Sequence, residues 1–330
     1  MTTHLILSFF IAFAVTAALG FVLIPLLRRL KAGQSIKRNG PVWHMSKEGT
    51  PTMGGLMFIA AMLLVCVIFA LVYGGRDGAV LAAMFGFALV FGIISFVDDL
   101  AKIRHHGNEG LTALQKFLLQ LAAAVAFVLL LRHLGYLTPN LYVPFFNVTW
   151  PLPEVVYILF AAFVIVGTVN AVNITDGVDG LVSGVSLPVA LFFAVVGFLW
   201  AMPVQGIFAA ALLGGLAGFL VWNFNPAKVF MGDTGSLFLG AAICGLAFAF
   251  DMPLILIPLG IVYICETLSD IIQVCYFKAT HGKRIFKMAP LHHHFEKSGW
   301  SEKKVFTVFT AVSVLFALLS LLGVSGRYGM

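Results

Sequence analysis

Apolar runs of about 20 residues recur along the whole chain, and they constrain its fold more than any other feature. A helix needs roughly 20 apolar residues to cross a hydrocarbon core of about 30 Å. The alternating ten-residue pattern of an outer-membrane barrel is missing. Ten spans are read: Leu5 to Leu27, Met53 to Tyr73, Ala79 to Val97, Phe117 to Leu131, Val155 to Val172, Leu181 to Trp200, Gly206 to Trp222, Leu237 to Phe250, Leu254 to Tyr276 and Val305 to Leu322. The expected fold is an all-α polytopic membrane protein, with residues 1–330 as one integral membrane domain. Only 10% of its residues are charged, against roughly 25% in a soluble domain.

Charge tests the number of spans. With the N-terminus outside, 17 of the 20 Lys and Arg fall in inward-facing loops, and only Arg76, Arg132 and Arg327 lie outside. An odd number of spans would destroy this positive-inside bias. Both termini are therefore expected outside. The first run is expected to be an uncleaved helix, because Met-Thr-Thr-His lacks the basic region of a leader and Arg28, Arg29 and Lys31 follow the run. The formal charge of +6 then belongs to cytosolic loops, which excludes a nucleic-acid-binding face. Cys66, Cys244, Cys265 and Cys275 all fall inside apolar runs and read as packing residues. Gly214 and Gly218 form a G-x-x-x-G that means close helix packing. On the outside, residues 141–150 are rich in strand formers, although Pro144 argues against a regular strand.

Every unusual polar cluster falls on the inward side. The third span stops at the adjacent carboxylates Asp98 and Asp99. At the electronegative C-terminal end of a helix these are disfavoured, so a Lys, an Arg or a metal ion is expected beside them. Residues 170–180 offer Asn170, Asn173, Asp176 and Asp179 beside Gly177 and Gly180. That is more than an Asx cap for the sixth helix requires. The next loop runs from Asn223 through Phe230 to Asp233, which Gly232 and Gly235 flank; glycines let backbone N–H groups approach a phosphate. The last inward loop holds Lys283, Arg284, Lys287 and the run His292, His293 and His294. Three consecutive imidazoles diverge by about 100° or 180° per residue, so they do not share one metal and read better as donors to phosphate. Inside the ninth span, Glu266, Asp270 and Gln273 share one helix face, expected toward the same cavity.

Carboxylates, basic donors and glycine turns at one membrane surface suit Mg²⁺-dependent phosphoryl transfer between a cytosolic phosphate-bearing substrate and a lipid. Gly232-Asp-Thr-Gly235 raises an intramembrane aspartyl protease as an alternative, but these Asp residues sit at loops. A transporter would need polar groups on both faces.

At this point the motifs resemble a known family. They are Lys47-Glu-Gly-Thr-Pro-Thr-Met-Gly-Gly55, Phe96-Val-Asp-Asp99, Asn173-Ile-Thr-Asp-Gly-Val-Asp-Gly-Leu181, Val229-Phe-Met-Gly-Asp-Thr-Gly-Ser236 and Ala289-Pro-Leu-His-His-His-Phe-Glu296. The chain resembles the bacterial phospho-N-acetylmuramoyl-pentapeptide transferases, a branch of the polyprenyl-phosphate N-acetylhexosamine-1-phosphate transferase superfamily. The resemblance implies a ten-helix enzyme, commonly dimeric, of the bacterial inner membrane. Its active site would face the cytoplasm and move phospho-MurNAc-pentapeptide from UDP to undecaprenyl phosphate, giving lipid I and UMP. Asp98, Asp99 and Asp233 match its catalytic acidic residues. Asp233 resembles the Mg²⁺ ligand, with Asp98 and Asp99 as further candidates. Asn173, Asp176, Gly177, Asp179, Asn223, Phe230 and Gln273 match positions that bind the nucleotide or wall the site. Lys47 joins them as a substrate-binding candidate from the first motif. His292 to His294 match a loop needed for activity, and Lys102 and Lys116 resemble basic active-site residues. Asp98 as base toward the lipid phosphate is the expected mechanism, against a carboxylate nucleophile. A sister transferase using UDP-GlcNAc is the nearest rival reading.

Overall fold

The computed structural model describes residues 1–30, 47, 49–104 and 110–327, with residues 101–104 by backbone only. Its elements are α1 (Thr2–Arg29), α2 (Leu56–Tyr73), α3 (Gly75–Arg104), α4 (Ala113–His133), β1 (Asn140–Val143), β2 (Val148–Pro151), α5 (Glu154–Thr175), α6 (Leu181–Leu199), α7 (Pro203–Asn223), α8 (Gly232–Ala249), α9 (Leu256–Leu259), α10 (Ile261–Ala279), α11 (Leu291–Glu296) and α12 (Glu302–Val324). Among the described residues, nine helices are long and apolar enough to cross a membrane, or ten if one bent pair counts as a span.

That bent pair corrects the ninth span. Read as continuous, it is broken at Gly260: Pro253–Leu259 and Ile261–Ala279 meet at 78°. Pro258 and Gly260 supply the physical cause, since neither supports a helix interior. The third span is also corrected. The helix runs on past Asp98 and Asp99 to Arg104, because nothing in Leu-Ala-Lys-Ile-Arg breaks the hydrogen-bond ladder when the apolar stretch ends. The two carboxylates thus lie inside a helix and not at its terminus, so the helix-end argument for their cation does not hold.

The core is built around α7 and α8. From Thr234 to Ala249 every residue of α8 is buried. Phe58 meets Phe219 and Phe238 edge-to-face, and Phe85 meets Phe238 in the same way, with ring centroids 5.8 or 5.9 Å apart. Gly214 and Gly218 pack as expected: a Cβ at these positions would lie 2.1 Å from Phe9 O and 2.6 Å from Phe13 O on α1.

The hairpin forms in spite of Pro144. Asn140 pairs with Pro151 and Val143 with Val148, antiparallel, and Pro144 falls just past β1 where no ladder donor is lost. At this end of the bundle Arg76 donates to Leu134 O and Gly135 O, Arg132 pairs with Glu154, and Arg327 reaches Asp251. Tyr136 donates to Asp77. Cys66 and Cys244 are buried as packing residues, but Cys265 and Cys275 lie on the exposed side of α10, which corrects the reading for those two.

Candidate functional site

At the opposite end of the bundle, two helices bring three carboxylates together. Asp98 and Asp99 are adjacent on α3, and Asp233 occupies the first turn of α8, where the helix N-terminus favours a negative charge. One ligand oxygen from each lies within 4.8 Å of the others. The expected cation is Lys116. Thr112 starts α4 with a capping box, accepting from Gln115 N while Gln115 Oε1 accepts from Thr112 N. The first turn of α4 is thereby fixed, and Lys116 Nζ stands 2.6 Å from Asp98 Oδ2 and 3.6 Å from Asp233 Oδ2.

Each aspartate has its own setting. Asp98 is buried, and its Oδ1 accepts the Leu111 N–H at 2.8 Å. Thr234, next to Asp233, donates its hydroxyl to Asp99 Oδ2 at 3.2 Å, linking α8 to α3. Sequence reasoning missed Thr234, although its place beside Asp233 was the available signal. Lys102 lies on the last turn of α3, and its side chain falls outside the described residues.

The Asn173–Gly180 segment closes against this cluster. Asp176 ends α5, and α6 begins at Gly180, whose φ is 75° and which makes no side-chain cap. No Asx cap starts that helix, and a left-handed glycine stands in its place. Burial first, then the charges of Asp233 and Asp179, raise the Asp176 carboxyl well above the usual carboxylate range. Asn173 is partly buried beside it.

Asp179 turns to a different task. Lys47 Nζ meets Asp179 Oδ1 and Glu302 Oε2, each at 2.7 Å. Asp179 Oδ2 accepts from Asn225 Nδ2 at 3.2 Å and Ala227 N at 2.9 Å. This carboxylate joins its own turn to Lys47 and to residues 225–227, and Glu302 is added through Lys47. Glu302 and Asn225 were not foreseen in it. Asn223 Nδ2 closes the same loop onto Val229 O at 2.9 Å. Phe230 N donates to Pro51 O, and Gly54 N to Phe230 O, both at 2.8 Å, so the first motif is laid along the fourth.

The last loop is held from α10. Gln273 Oε1 accepts from Ile285 N and Phe286 N at 3.1 and 3.0 Å, and its Nε2 donates to Phe286 O at 2.9 Å. The three histidines diverge on α11, as their spacing requires. His292 Nδ1 meets Glu266 Oε2 at 2.9 Å, His293 Nδ1 meets Glu296 at 2.7 Å, and His294 Nδ1 accepts Lys287 N at 3.1 Å. Gly177 admits His292, since a Cβ there would lie 2.1 Å from its Nε2.

Three close carboxylates with hard oxygen donors, one of them buried, fit a Mg²⁺ ion. Arrangement and composition together define a polytopic membrane protein with an acidic, lysine-braced site suited to phosphate chemistry. Residues 80–251 match glycosyl transferase family 4, and residues 47–59 match the phospho-N-acetylmuramoyl-pentapeptide-transferase signature 1. The chain is 44% identical over 320 residues to the phospho-N-acetylmuramoyl-pentapeptide-transferase of Clostridium acetobutylicum, covering 96% of this chain and 98% of that protein. To the Staphylococcus carnosus protein of the same name it is 45% identical over 313 residues, 94% of this chain and 96% of that one. The chain belongs to the phospho-N-acetylmuramoyl-pentapeptide-transferase family.

Proposed function

We propose that the chain transfers phospho-MurNAc-pentapeptide from UDP-MurNAc-pentapeptide to undecaprenyl phosphate in the bacterial inner membrane, releasing UMP and giving lipid I. The observation that carries this reading is the convergence of Asp98, Asp99, Asp233 and Lys116 at the end of the bundle whose loops hold 17 of the 20 basic residues. That bias supports placing this end in the cytoplasm, where the nucleotide donor is made, and both termini outside. The protein would work as a homodimer.

In this reading an oxygen of the lipid phosphate bonds to the sugar-bearing phosphorus, and the bond from that phosphorus to the UMP oxygen breaks. Mg²⁺ held by Asp233, with Asp99 and Asp98 as further ligands, would neutralise phosphate charge. Lys116 supplies a second positive charge between Asp98 and Asp233. Asp98 takes the proton of the lipid phosphate once Lys116 shifts toward the incoming phosphate. Asn173, Asp176, Gly177 and Phe230 wall the donor site. Lys47, Asp179, Asn223 and Gln273 shape that wall through the bonds they make to neighbouring loops.

The test is UMP release by the purified protein in detergent with Mg²⁺ and undecaprenyl phosphate, offered UDP-MurNAc-pentapeptide or UDP-GlcNAc. Release from the first alone supports the reading. Release from UDP-GlcNAc alone transfers the protein to the sister activity, and a phosphorylated enzyme trapped with donor alone would replace the direct route by a covalent one.

A further inference from the structure

One buried ionisable couple has no place in the scheme above. Glu266 on α10 and His292 on α11 are 0% and 1% exposed. Glu266 Oε2 meets His292 Nδ1 at 2.9 Å and faces the His292 backbone N–H at 3.5 Å. The outer atoms of the couple, Glu266 Oε1 and His292 Nε2, are buried without a hydrogen-bond partner. Nε2 is aimed at Gly177, where only the missing side chain makes room for it. Gly177 follows Asp176, whose carboxyl feels the charge of Asp233.

A buried nitrogen without a partner is destabilising by about 1–3 kcal/mol, so its persistence at a site wall points to a ligand. A carboxylate on one nitrogen of an imidazole fixes the ring's orientation and leaves the other nitrogen to act. We propose that Glu266 is a positioning residue of the transfer reaction, holding His292 so that Nε2–H donates to an anionic oxygen of the nucleotide-sugar donor lying over Gly177. The proposal rests on the function given above. It assigns His292 to the donor and away from the lipid phosphate.

The experiment is a double-mutant cycle of E266Q, H292Q and the double variant, with kcat and KM measured for each substrate and thermal stability followed in parallel. H292Q and E266Q are each expected to lower kcat/KM for the nucleotide donor on the order of 10- to 100-fold. KM for the lipid phosphate should stay unchanged, and the double variant should be no worse than H292Q. Multiplicative losses, a selective effect on the lipid phosphate, or full activity of E266Q would each overturn the proposal. Full activity of H292Q would instead overturn the site reading on which it rests. Where E266Q folds poorly, the comparison of H292Q with the double variant decides alone: equal kcat supports the coupling, and a further tenfold loss refutes it.

Discussion

Lys116 Nζ bridges Asp98 and Asp233, at 2.6 and 3.6 Å, from a helix that contributes no carboxylate of its own to the cluster. A positive charge so placed serves the phosphates in the transition state and competes with a cation for the same oxygens in the resting site. Lys116→Ala is therefore expected to lower kcat by about 100- to 1000-fold, the usual loss when one preorganised charge donor is removed. The amount of Mg²⁺ needed for half of the remaining activity should fall at the same time, because the carboxylates become more negative. Titrating UMP release against Mg²⁺ separates the effects; a variant needing more Mg²⁺ would remove Lys116 from this role.

Gly177 is expected to tolerate no side chain. Its alanine methyl would stand 2.1 Å from His292 Nε2, and the imidazole is pinned on its far side by Glu266. Overpacking of this kind costs about 1–3 kcal/mol. Gly177→Ala should melt lower and lose activity. Combining it with His292→Ala should recover the melting temperature and leave activity low. Recovery of neither would place the strain elsewhere.

Asp176 should carry a cost in stability at neutral pH. Burial raises its folded-state pKa above the unfolded value, with Asp233 and Asp179 adding to the shift. Between those two pKa values the folded state holds the proton that the unfolded chain has shed, so stability falls as pH rises through that window. Asp176→Asn is expected to raise the melting temperature near neutral pH, with the gain shrinking toward about pH 4, the unfolded carboxylate value. Activity should drop, because the donor loses a wall residue. An unchanged melting temperature at neutral pH would contradict the burial.

Much of this architecture was legible in the chain, because a membrane removes most alternatives: an apolar run of sufficient length has to be a helix. The breaks were harder to read. Gly260 and Pro258 were visible, yet the apolar residues on either side hid a bend that composition does not encode. The site motifs were legible as polar residues out of place. Their assignment to tasks was not, since Asp179 and Gln273 look from sequence like ligand contacts while their bonds run to Lys47 and to the backbone of residues 285 and 286. The Lys47 pairings join segments more than a hundred residues apart, to Asp179 and to Glu302, and no local pattern announces them.

Lys47 is accordingly expected to act through the fold. Lys47→Met leaves Asp179 buried with its Asn225 and Ala227 contacts and no charge to balance it. Removing one partner of a buried charged contact costs about 1–3 kcal/mol, so the melting temperature should fall. If Lys47 instead touches the donor directly, KM for the nucleotide will rise with stability intact. Thermal melts beside KM measurements distinguish the two.

Gly214 tests the packing of α1, which carries the fewest buried residues per turn among the helices that touch α7. Lipid tails are as apolar as leucine, so no hydrophobic force holds one spanning helix to another, and close backbone approach has to do so. Here that approach leaves 2.1 Å between Phe9 O and a Cβ at Gly214. Gly214→Val should therefore push α1 away and lower the melting temperature, by about 1–3 kcal/mol in stability. Gly86 on α3 is the control, since a Cβ there meets nothing within 4 Å, and Gly86→Ala should leave the melt unchanged or raise it. Equal melts for the two variants would mean that the small residues of α7 are incidental to its contact with α1.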